Sequence, residues 1–88
     1  MRFIAVFYQQ RTIYGMGFES VIDANDFLFR GYEDNDLVPR GIYDIMTDNV
    51  TPYAHIDQLI GNDKLETIRQ FAIEYMKQIC QHMSLHER

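Results

Sequence analysis

The chain has 88 residues, 47% of them apolar and 14% aromatic, with a formal net charge of −5. That composition supports one domain spanning residues 1–88 with a real hydrophobic core, and it excludes a disordered chain. The charge is uneven: residues 19–63 hold ten acids against Arg30 and Arg40, so a nucleic-acid backbone would be repelled and no nucleic-acid partner is expected.

Phe3-Ile4-Ala5-Val6-Phe7-Tyr8 is apolar at both alternating sets of positions and rich in β-branched and aromatic residues. This predicts a central strand covered on both sides. After the polar Gln9-Gln10-Arg11, residues Thr12 to Phe18 alternate Tyr14, Met16 and Phe18 with Ile13, Gly15 and Gly17. The pair reads as a β-hairpin with a loose loop. The two glycines leave one face of the second strand nearly bare, so a helix or an aromatic ring is expected to pack closely there.

Ser20 is a good N-cap, and Val21, Ala24, Phe27 and Leu28 recur at helical spacing, predicting a helix from about Val21 to Arg30 with Gly31 as its C′ residue. Glu33-Asp34-Asn35-Asp36 reads as an acidic loop, with Pro39 and Gly41 marking further turns. Leu37-Val38-Pro39-Arg40-Gly41 resembles a sequence that thrombin cleaves, and digestion there would mark an exposed, mobile loop between helix and strand. Ile42 to Thr47 predict a third strand. Asp48-Asn49 predict a turn, and Val50 to Ala54 a fourth strand confined to an edge by Pro52. Ile56 to Ile60 predict a short helical turn.

The last helix is the clearest element. Asp63 and Glu66 fit a capping box, and Leu65, Ile68, Ala72, Tyr75, Ile79 and Met83 follow three-four spacing. Phe71 widens the stripe on one flank; Ile73, Met76 and Cys80 widen it on the other, to roughly 200° of the helical wheel. A helix with two apolar flanks is expected to bury one against the sheet and the other against the first helix, a second subunit or a partner.

The motifs weighed for chemistry are weak. Gly15-Met16-Gly17-Phe18-Glu19-Ser20 superficially matches the start of a dinucleotide fingerprint, but the preceding strand belongs to a hairpin and the chain is too short for a doubly wound sheet. Glu33, Asp34 and Asp36 lack the alternation and central glycine of a calcium loop. His82 and His86 share a helix face but offer two ligands, too few for a closed zinc site. Cys80 extends an apolar stripe and reads as a buried small hydrophobe, and His55 has no evident nucleophile or acid partner. No catalytic, cofactor-binding or metal residue is therefore assigned, no cofactor is expected, and the residues leave the enzyme question open while favouring a non-enzymatic reading. Asn49-Val50-Thr51 matches a glycosylation sequon, which matters only in a secreted protein. A single cysteine, no signal-peptide pattern and no apolar run of bilayer length predict a cytoplasmic protein without a membrane partner.

The expected fold is α+β, ββαββα: a small, mostly antiparallel sheet of three to four strands with both helices on one face. In that arrangement the other sheet face stays apolar and uncovered, and covering it requires a homo-oligomer or protein partner. Ile73, Met76, Cys80 and Tyr14 are the candidate interface residues. The function expected is that of a small, non-enzymatic interaction or regulatory accessory protein acting by protein–protein contact as a homodimer or larger homo-oligomer. The alternative is an acidic ligand- or metal-binding domain or enzyme using Glu33, Asp34, Asp36 and Asp44.

Overall fold

In a computed structural model, residues 1–34, 36–53 and 65–86 are described, with the helical backbone alone for residues 80–86. The elements are β1 (Phe3–Gln9), β2 (Thr12–Phe18), α1 (Val21–Glu33), β3 (Val38–Asp44), β4 (Asn49–Pro52) and α2 (Leu65–His86). The four strands form one antiparallel sheet in the order β2-β1-β3-β4. The fold is α+β with the expected ββαββα sequence of elements.

The placement of the helices corrects the expectation. They do not share a face. Ala5, Phe7 and Ile42 pack with Ala24 and Leu28 of α1. Ile4, Val6 and Tyr43 pack with Ile68 and Ala72 of α2. Successive β1 side chains point to opposite sides, so a strand apolar at every position supplies two cores, one beneath each helix. Among the described residues the helices make no approach to each other. The sheet face expected to need an external partner is covered by α2 of the same chain.

The hairpin closes on two residues, Gln10 and Arg11, both with positive φ (52° and 69°). The loose loop expected there is in fact a tight turn of the type I′ kind, which matches the twist of the strands although neither residue favours that conformation. Gly15 meets the expectation of a close neighbour: a Cβ there would lie 3.0 Å from Cγ of Tyr75 on α2.

Helix α1 starts as predicted, with Ser20 Oγ accepting the Asp23 N–H at 3.1 Å. It ends later, at Glu33, with Asp34 as the cap. Gly31 is therefore within the helix and has no positive φ. Its lack of a side chain has another cause: a Cβ would collide with Cγ and the methyls of Leu37, and its carbonyl accepts the Asp36 N–H at 2.9 Å and the Leu37 N–H at 3.3 Å.

Strand β3 begins earlier than predicted and contains Pro39 and Gly41, both buried. The turn read at Pro39 and Gly41 is thus strand. Val6 pairs with Gly41 and Phe7 with Pro39, so Arg40 is an extra residue in β3. Such a bulge is where a proline, which cannot donate to the ladder, is tolerated inside a sheet. The turn to β4 occupies residues 45–48, with Asp48 rather than Asn49 in the left-handed region (φ 58°). β4 is an edge strand, as Pro52 requires. The predicted turn at Ile56–Ile60, the Asp63 cap and His55 lie outside the described residues.

Candidate interaction surface

The two sheet edges differ. Just past β4 the Tyr53 N–H donates to the Arg40 carbonyl at 3.0 Å. With the register Ile42↔Thr51 and Asp44↔Asn49, alternation places the backbone of Val50 and Pro52 outward, and Pro52 has no hydrogen to offer there.

The β2 edge has the opposite character. A two-residue turn makes Gln9 and Thr12 a hydrogen-bonded pair. Following the register Phe7↔Tyr14, Ala5↔Met16 and Phe3↔Phe18, the same parity leaves Ile13, Gly15 and Gly17 with N–H and C=O groups directed away from the sheet. Among the described residues no strand pairs with this edge. All seven residues of β2 are uncharged, and none is proline. An edge of this kind lacks the lysines, prolines and shortness that usually discourage pairing.

Apolar side chains flank the edge on both faces. On the α1 side, Tyr14 is 46% and Met16 43% exposed. Tyr14 is held by stacking on Phe7, at 5.8 Å between ring centroids. Beside them runs an open groove between β2 and α1, with Phe7, Met16, Phe18, Phe27 and Leu37 as its apolar lining. Asp23, Asp26, Asp34 and Asp36 line it too, against one cation, Arg30, which pairs with Asp26 at 3.1 Å. On the α2 side, Ile13, Gly15, Phe71 and Tyr75 line a smaller depression, and Phe71 is 40% exposed.

The sequence-predicted interface residues separate. Tyr14 is at the open edge. Ile73 and Met76 are half-buried against the chain's own α2-side core. The Cys80 side chain lies outside the described residues, as do those of His82 and His86. The exposed flank of α2 is instead the one carrying Phe71, and Leu65 is exposed at the start of the helix.

The polar groups with perturbed titration hold the fold together at the β3–β4 turn. Arg69 of α2 donates from Nε and Nη2 to the two carboxylate oxygens of Asp48 at 2.8 and 3.1 Å. Tyr43 Oη donates to Asp48 Oδ1 at 2.6 Å. The Arg69 bonds, then the Tyr43 bond, hold the Asp48 carboxyl below its usual range. The bond to Asp48, reinforced by burial, pushes the Tyr43 phenol up. Asp44 is also held low, chiefly by Arg2 at 3.1 and 3.2 Å and then by the Met46 N–H. These ion pairs join residues 21 and 42 positions apart, so no local pattern could have announced them.

Asp44 is thereby committed to Arg2 at the end of β3 remote from Asp34 and Asp36. Among the described residues no three His, Cys, Asp or Glu side chains converge in a metal-binding group, and no described helix is long and apolar enough to cross a membrane. No protein-family model, no curated protein and no solved structure matches the chain.

Proposed function

We propose that this protein is a small interaction module, an accessory or regulatory protein that works by protein–protein contact and self-associates. The observation that carries the reading is the β2 edge: a full-length, uncharged strand whose outward backbone groups meet no partner strand among the described residues, bordered on both faces by exposed Tyr14, Met16 and Phe71. Strand addition at such an edge gains main-chain hydrogen bonds and buries the bordering side chains together. The uncovered sheet face that first motivated association plays no part in this reading, because α2 occupies it. The surface responsible is the sheet's rim.

An enzyme or metal-binding reading has less support. It relied on carboxylates of the middle segment acting together, and Asp44 is engaged by Arg2 away from Asp34 and Asp36. Titration calorimetry with Ca²⁺, Mg²⁺ and Zn²⁺ addresses it, and heat above the buffer blank would revive it.

The test of the preferred reading is sedimentation equilibrium across the micromolar range, on the wild type and on Met16→Lys. The expected result is reversible association of the wild type, weakened by a lysine at the rim. A wild type that stays monomeric into the hundreds of micromolar would remove self-association from the proposal.

A further inference from the structure

The geometry points to a two-fold symmetric dimer in which β2 pairs antiparallel with β2 of a second copy about Gly15, joining the two sheets into one. This inference rests on the self-association proposed above and specifies its register.

Two independent features select that register. The first is backbone parity. The outward residues of β2 are Ile13, Gly15 and Gly17, so a hydrogen-bonded partner strand must place outward residues opposite outward residues. Centring on Gly15 sets Ile13 opposite the partner's Gly17 and Gly15 opposite its own copy, and it overlaps the strand over its whole length, Thr12–Phe18.

The second feature is charge. β2 itself carries none, but Arg11 precedes it and Glu19 follows it. The same register brings Arg11 of each copy opposite Glu19 of the other, an attractive pair at both ends of the joint. Glu19 already meets the N-terminal ammonium of its own chain at 2.6 Å and is 83% exposed, so its carboxylate remains accessible from the partner's side. Sliding the strands by one two-residue step in either direction separates both pairs and shortens the overlap.

Side-chain placement agrees. A two-fold axis perpendicular to the sheet keeps the α1 faces of both copies on one side. Tyr14 then neighbours the partner's Met16 at a non-hydrogen-bonded position, where side chains approach most closely. These are the two most exposed apolar side chains within β2. On the other face glycine meets glycine at the axis, leaving room for Tyr75 of each copy, which already lies over its own Gly15.

The test is cross-linking in a Cys80→Ser background, which removes the only native thiol. Cα atoms at a non-hydrogen-bonded antiparallel pair are about 4.5 Å apart, within disulfide range. Under mild oxidation, a mixture of Tyr14→Cys chains and Met16→Cys chains is expected to give a disulfide dimer. Either chain alone is expected to stay unlinked, because diagonal neighbours lie at about 7–8 Å. In parallel, Arg11→Glu is expected to raise the dimer dissociation constant roughly ten-fold at low salt, and adding Glu19→Arg to restore it. Linking of Met16→Cys chains with themselves, or no effect of the charge reversal on an intact dimer, would overturn this register and leave self-association standing. A wild type without dimers would remove both.

Discussion

Ile68→Ala is the sharpest test of a helix on each face of the sheet. Ile68 is 1% exposed and packs with Ile4, Val6, Tyr43 and Ala72 in the core beneath α2; its Cδ1 lies 3.3 Å from where a Cβ on Gly41 would be. Truncation removes three carbons, roughly 2.4 kcal/mol at about 0.8 kcal/mol each. The backbone of β3 cannot collapse into the gap, so the residual cavity adds to this, for a total of about 3–4 kcal/mol. For a chain of this length global stability is on the order of 4–13 kcal/mol. The variant is expected to lose a large share of it, and to melt roughly 12–30 °C lower. Urea unfolding followed by far-ultraviolet circular dichroism measures the loss, with an unchanged m value as the check that the unfolding reaction is the same. Ile68→Val should cost about 0.5–1.5 kcal/mol. Combined with Leu28→Val in the opposite core, it should be additive within about 0.5 kcal/mol, because the sheet separates the two sites. A loss below about 1 kcal/mol for Ile68→Ala would mean that α2 does not rest on the sheet, and the two-core reasoning would fail.

Three further outcomes follow from the described contacts. Gly31→Ala should destabilise by about 1–3 kcal/mol, although the same change in an open helix would gain about 1 kcal/mol, because the new methyl overpacks against buried Leu37; thermal melting gives the sign. Replacing Gln10-Arg11 by Asn-Gly should raise stability by about 1–2 kcal/mol in dilute solution, since both residues now occupy left-handed backbone; denaturant midpoints measure it. The folded carboxyls of Asp44 and Asp48 titrate below their unfolded values, so their contribution is present above about pH 4 and lost as pH falls through the folded values. The Tyr43 phenol is raised, so its contribution is present below about pH 10 and lost as pH rises further. Urea midpoints should therefore fall at both extremes, and Asp48→Asn should diminish both slopes.

The order and type of the described elements were readable from periodicity, capping and glycine placement. The arrangement of helices was only half readable. Ile4 and Val6 against Ala5 and Phe7 already stated that both faces of β1 needed cover, but a period of two does not say which helix supplies it. The breadth of the α2 stripe was read as a demand for an outside partner; much of it is met inside the chain, where Ile73, Tyr75 and Met76 pack around the second core. Pro39 and Gly41 misled for a physical reason: both are turn residues by propensity, and a bulge at Arg40 is what admits them to a central strand. Tyr14 was identifiable as an interface candidate, but the open edge it borders depends on strand order, which alternation along a single strand does not encode.

The unequal rims of the sheet have a consequence for how far assembly can go. Pro52 removes one of the outward donors on the β4 side and so interrupts a regular ladder there, whereas the β2 side presents an unbroken one. Molecules with one sticky border exhaust it on first meeting, so the proposed joining of β2 to β2 would terminate at a pair, whereas two competent borders would permit endless head-to-tail stacking. A missing amide hydrogen on one side is thus a safeguard against fibre growth.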